Sequence, residues 1–143
     1  MSAVMAAPWS MSPHLTNQMV LQRDRPHALR GTAGSGEVIQ IEFAKFHATC
    51  TADQHGDWSI TLPALAANAV AQTMRIRCGS VAHDIHDVLI GDVWMFSGQS
   101  NMDFPLAKAI GGKAEIADAK ALPIRLLHLT GIPTDQRRYD ERS

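Results

Sequence analysis

The run "VWMFSGQSNMDF" (residues 93–104) climbs through apolar side chains to Ser97-Gly98-Gln99 and then breaks at Ser100-Asn101-Met102. "VWMF" lacks alternation, which predicts a strand covered on both faces, as in a parallel sheet. Open α/β sheets place their ligands at the carboxyl ends of such strands, so a serine there stands where a nucleophile is needed. Gly98 relaxes the backbone for a tight turn out of the strand. The N–H groups of Ser100 and Asn101 beyond the turn can point at an oxyanion. The same residues also read as a plain turn or a helix N-cap. The pattern is not the G-x-S-x-G elbow, because Asn101-Met102 stand where the second glycine would come.

Downstream, "LAKAIGGKAEIADAKALP" (106–123) is alanine-rich and predicts a helix from about Lys113 to Leu122, interrupted by Gly111-Gly112 and ended by Pro123. "IRLLHL" (124–129) predicts a second short buried strand, so 88–143 opens as strand, helix, strand, the start of a βαβ unit. "PTDQRRYDERS" (133–143) is a polar end with the solvated pair Arg137-Arg138.

Upstream, residues 1–14 read as a tail, and 15–87 as short strands between turns. "EVIQIEF" (37–43), "FHATCTA" (46–52) and "WSITL" (58–62) alternate with period two. "QMVLQ" (18–22), "HALRGTA" (27–33), "AQTMRIRC" (71–78) and "VAHDIHDVLI" (81–90) complete the set. Six or more strands at this spacing predict a small antiparallel β-sandwich. The register changes at Asp87, and "DVLIGDVWMFSG" reads as separate apolar pieces joined by Gly91-Asp92. The fold class is therefore mixed: a β-sandwich over 15–87, then the first elements of an α/β domain over 88–143 that the chain does not finish.

Composition excludes several classes. The chain has 143 residues, 45% of them hydrophobic and 19% charged, with net charge −1. That is globular composition with no electrostatic footprint for nucleic acid or an anionic membrane. No apolar run approaches the ~20 residues of a membrane span. The first ten residues lack a basic n-region and a long enough apolar core for a signal peptide, so the chain as written reads as cytoplasmic, a trimmed leader being the other reading. Cys50 and Cys78 form no C-x-x-C and read as buried free thiols.

Other clusters read as structural. Asp53-Gln54-His55-Gly56-Asp57 fits no metal-ligand template and reads as a hairpin turn. His83 and His86 fall on opposite faces of a strand, which separates them as ligands. Trp58 and Trp94 read as core. Gly34-Ser35-Gly36 is no phosphate loop, since no lysine follows.

The stretch "DVLIGDVWMFSGQSNMDFPL" (87–106) closely resembles the nucleophile block of the sialate O-acetylesterase family, within the SGNH (GDSL-type) hydrolases. "NQMVLQRDRP", "RGTAGSGEVIQIEF", "GDWSITLPAL" and "HDVLIGDVW" resemble, in the same order, the β-sandwich that precedes the hydrolase domain in that family. The resemblance covers about residues 15–129. It implies a flavodoxin-like three-layer α/β hydrolase domain and removal of O-acetyl groups from sialic acids or related acetylated sugars. Ser100 would be the nucleophile and, through its own N–H, part of the oxyanion hole. Gly98, Gln99 and Asn101 would shape the turn. Asp103 would cap the following helix start or line the pocket, with the cap favoured. No metal or organic cofactor is expected.

The chain departs from the family at its far end. The resemblance implies a base in an Asp-x-x-His pair near the C-terminus, which would lie beyond Ser143. Asp84 and His86 are too close in sequence to form that pair, and His128 falls inside an expected strand. A positioned base contributes ~10²–10⁴-fold and an oxyanion donor ~10²–10³-fold. The expectation is an inactive fragment or half-enzyme: a truncated gene, part of a longer hydrolase, or one part of a split protein whose second chain completes the domain. The alternative is a non-catalytic β-sandwich that binds glycan or protein.

Overall fold

Alternating side chains build most of the molecule. The computed structural model describes residues 9–119 and 122–127. β1 (Ser10–Met11), β2 (Val20–Gln22), β3 (His27–Thr32), β4 (Val38–Phe43), β5 (Phe46–Thr51), β6 (Asp57–Leu62), β7 (Asn68–Cys78) and β8 (Val81–Gly91) come first. Two 3-10 turns, Ser100–Asp103 and Leu106–Lys108, and helix α1 (Gly112–Ala119) follow. The strands form a three-stranded sheet, β1-β3-β6, and a five-stranded sheet, β2-β8-β7-β4-β5.

One core joins the sheets. Leu29, Trp58, Ile60 and Leu62 of the smaller sheet pack in a single cluster with Ile39, Ile41, Phe43, Met74, Ile76 and Ile85 of the larger. β4 and β6 bury alternate residues strictly, which pins their register, since a one-residue slip would turn every apolar side chain outward. Gly31 is required by close approach: a Cβ there would lie 2.0 Å from the Ser10 carbonyl oxygen and 2.6 Å from the Trp58 ring.

Several expectations need correction. β1 falls within the stretch read as tail, where it pairs Ser10 with Thr32 and Met11 with Gly31. The larger sheet is mixed rather than antiparallel, because β2 runs parallel to β8, Val20 beside Leu89. The strand expected over 81–90 is present as β8, and it crosses the boundary expected at Asp87. It runs through to Gly91 with Val88, Leu89 and Ile90 buried. A bulge explains the apparent break: Gln72 faces Val88 while Met74 faces Ile85, and Asp87 sits at φ 59°.

"VWMF" is not a strand. Val93, Trp94, Met95 and Phe96 are exposed and outside any regular element. A strand needs a neighbour for its backbone groups, and among the described residues none pairs with this one. Residues 124–127 are likewise irregular, and the rest of that expected strand, with His128, lies outside the described residues. α1 starts at Gly112, where a Cβ would lie 1.8 Å from the Leu106 carbonyl oxygen. It ends at Ala119, and 120–121 of the expected helix lie outside the described residues. The polar end 133–143 and residues 1–8 also lie outside them.

These exposures predict a contrast measurable by urea denaturation. Phe43→Ala, at a residue 1% exposed, should cost ~3–5 kcal/mol of stability. Trp94→Ala, at 78% exposed, should change it by less than about 0.5 kcal/mol. Comparable losses would mean that Trp94 is packed.

Candidate active site

The serine loop is built from backbone. Gln99 precedes the first 3-10 turn in extended conformation (φ −96°, ψ −165°), and its side chain makes no capping bond. The Met102 N–H donates to the Gln99 carbonyl at 2.9 Å, and the Phe104 N–H to the Asn101 carbonyl at 3.3 Å. Ser100 is the first residue of that turn and is exposed. The amides of Ser100 and Asn101 lie at its head, where a turn offers them no carbonyl. Gly98 sits beneath the Met102 side chain: a Cβ there would lie 2.7 Å from Met102 Cγ, so any larger residue displaces that side chain. Asp103 closes the turn. The residue preceding the next turn is Pro105, which carries no side-chain cap.

Among the described residues, none hydrogen-bonds the Ser100 hydroxyl. His83, Asp84 and His86 of β8 have other neighbours. His86 Nδ1 lies 3.4 Å from Thr73 Oγ1, and its backbone N–H donates to Asn17 Oδ1 at 2.8 Å. His83 meets the Trp9 ring edge-on at 6.4 Å. Asp84 takes both arms of Arg75 at 2.7 Å, and this bonding holds its carboxyl below the usual range. No group of three or more potential metal ligands occurs among the described residues.

The acidic hairpin is accounted for by its own backbone. Asp53 Oδ1 accepts the N–H groups of His55 at 2.8 Å and Asp57 at 2.9 Å. These bonds, that from Asp57 foremost, hold its carboxyl below the ordinary range. Of the tryptophans read as core, Trp58 is 3% exposed and Trp94 is 78% exposed.

Two contacts that tie the serine segment to the sheets were not legible. The Val93 N–H donates to Gln22 Oε1 at 2.7 Å. Arg125 Nη2 pairs with Asp87 Oδ1 at 2.7 Å, and its Nη1 donates to the Asp87 carbonyl. A lone arginine inside the apolar run "PIRLL" was the available signal, since such a charge needs a partner.

No family model matches the chain. Sialate O-acetylesterase of Rattus norvegicus is 27% identical over 76% of the chain, and that of Homo sapiens 25% identical over 89%. A carbohydrate acetylesterase from Xanthomonas citri, solved by crystallography, superposes with a TM-score of 0.73 at 36% identity over 78% of the chain. The chain belongs to the sialate O-acetylesterase family. It spans about a quarter of these relatives: 22% of the rat protein, 26% of the human protein and 26% of the crystallised chain.

The two thiols are kept apart from each other, Cys78 being buried and Cys50 only half-buried. Ile39 faces Cys50 on one side and Cys78 on the other, so β4 lies between them. Two strand spacings of ~4.8 Å put them beyond the ~7 Å a disulfide can span. Burial, then the Glu37 carboxylate at 3.2 Å, pushes the Cys78 thiol up to about 11. An ordinary thiol titrates near ~8.5, so at pH 8 Cys78 should alkylate on the order of 100-fold slower than free cysteine, and rapidly only in urea. Fast labelling of the folded chain, followed by peptide mass mapping, would contradict the burial.

Proposed function

We propose that this chain carries the nucleophile end of a carbohydrate O-acetylesterase, with Ser100 as the attacking residue. The observation that carries the reading is an exposed serine at the head of a glycine-enabled turn, in a chain 36% identical over 78% of its length to a carbohydrate acetylesterase. Ser100 Oγ would attack the acetyl carbonyl carbon while a base takes its proton. The sugar hydroxyl would leave with a proton, and water would release acetate from the acyl-serine. The Ser100 N–H would supply part of the oxyanion hole, with Gly98, Gln99, Asn101 and Asp103 shaping the loop.

Residues 88–143 are read as the opening of an SGNH-type three-layer domain. The exposed side chains of Trp94, Met95, Phe96, Leu126 and Leu127 support this, as surface that further strands would cover. Those strands would bring the catalytic histidine, on the same polypeptide or on a separate chain. The substrate class is an acetylated sugar, sialic acid or a related one. The residues described here are, on this reading, half of an active site.

A fluorophosphonate probe read by intact mass tests it, on chain shown to be folded and with Ser100→Ala as control. Negligible labelling is expected from the chain alone, because a serine without a base stays protonated at neutral pH. Stoichiometric labelling lost in Ser100→Ala would establish an activated serine and overturn the half-site reading. A second reading, a non-catalytic glycan- or protein-binding module, draws on the core that the two sheets close by themselves. It expects chain ending at Gly91 to fold and to be retained on a glycan column, whereas the esterase reading expects no retention.

A further inference from the structure

We propose that Asp87 and Arg125 form a clasp that closes the excursion 92–124 back onto the strand it leaves, and so fixes where the Ser100 turn stands. The proposal of a positioning role rests on Ser100 being the nucleophile; the clasp itself does not.

The excursion departs from β8 at Gly91 and is held at its exit. The Arg23 N–H donates to the Gly91 carbonyl at 2.8 Å, and the Val93 N–H to Gln22 Oε1 at 2.7 Å. Its far end returns to the same strand. Arg125 lies 38 residues from Asp87 in sequence, yet bonds both its carboxylate and its backbone carbonyl. The side chains are 23% and 38% exposed, so the pair is partly shielded from solvent.

The bulge is what makes Asp87 available. Where His86 and Asp87 of β8 lie opposite Thr73 alone of β7, a ladder position is left unpaired. At φ 59° the carbonyl of Asp87 is turned out of the regular ladder, and the guanidinium takes it. Aspartate is among the few non-glycine residues that enter this region at modest cost. Its carboxylate then supplies the second acceptor. Arginine suits the return end because its planar fork bonds two acceptors at once, where a lysine would offer a point charge. With exit and return both pinned to the adjacent strands β2 and β8, the serine turn sits on a closed loop instead of a free tail.

Nitrogen-15 relaxation on the whole 143-residue chain tests this. In the unaltered chain, order parameters at 122–127 should be near the ~0.85 of rigid backbone. In Arg125→Gln they should fall below ~0.6 there and drop at 99–104, with β4 and β7 unchanged. Asp87→Gly keeps the carbonyl and suits the positive φ but removes the carboxylate. It should loosen the same residues without lowering the melting temperature of the two-sheet unit. Low order parameters at 122–127 in the unaltered chain, or no loosening in either variant, would overturn the clasp. So would loosening in Arg125→Gln alone. The readout needs no substrate, so a failed Ser100 labelling leaves this result standing, and the reverse also holds.

Discussion

β8 is the strand on which both halves of the molecule depend. It lies between β2 and β7 in the larger sheet, and its inward side chains Ile85, Val88 and Ile90 enter the common core. Leu89 is buried too, but outside that core cluster, as alternation requires of a residue between Val88 and Ile90. The end of β8 is therefore covered on both faces. The irregularity at Asp87 lets one strand serve both purposes. It shifts the pairing with β7 by one residue and presents a carbonyl and a carboxylate to Arg125. A regular strand would have spent that carbonyl on the ladder.

The legible parts of the fold are those where a local pattern has a single physical cause. β4 and β6 alternate because one face of each meets the core, and that cause is written in consecutive residues. The parallel pairing of β2 with β8 has no such local record, because it joins segments nearly seventy residues apart, as Val20 beside Leu89 shows. β1 has two residues and no period to read. The break expected at Asp87 came from treating Asp87 and Gly91-Asp92 as punctuation, whereas aspartate at positive φ extends a bulged strand.

The candidate site divides along the same line. That the chain breaks near Gly98 and exposes Ser100 follows from neighbouring residues; the structure puts the turn itself at Ser100–Asp103, with Gly98 packed beneath Met102. A triad is a tertiary object whose members need not be near in sequence. Of the histidines at hand in sequence, the His86 ring lies beside the Thr73 hydroxyl and the His83 ring against Trp9. The one signal in the sequence that Arg125 needs a partner is a lone charge inside the apolar run "PIRLL". Which of the chain's carboxylates it would find depended on a bulge.

The two halves differ in how their apolar surface is disposed, and the difference explains why "VWMF" is not the buried strand its composition predicts. Period-free apolar runs mean burial on both faces only when both faces have neighbours. In the two-sheet unit the neighbours are present, and Ile39, Ile41, Phe43, Met74 and Ile76 are nearly inaccessible. Beyond Gly91, Trp94, Met95 and Phe96 are mostly exposed, as are Leu126 and Leu127. Fully covering such a side chain is worth roughly 1.5–3 kcal/mol. The described residues therefore supply little apolar packing to the serine segment, while the two-sheet unit is packed around its own core. A segment with so little packing of its own keeps a defined course only through specific polar tethers, and the contacts from Gln22 and Asp87 are placed where such tethers act best, at its two ends.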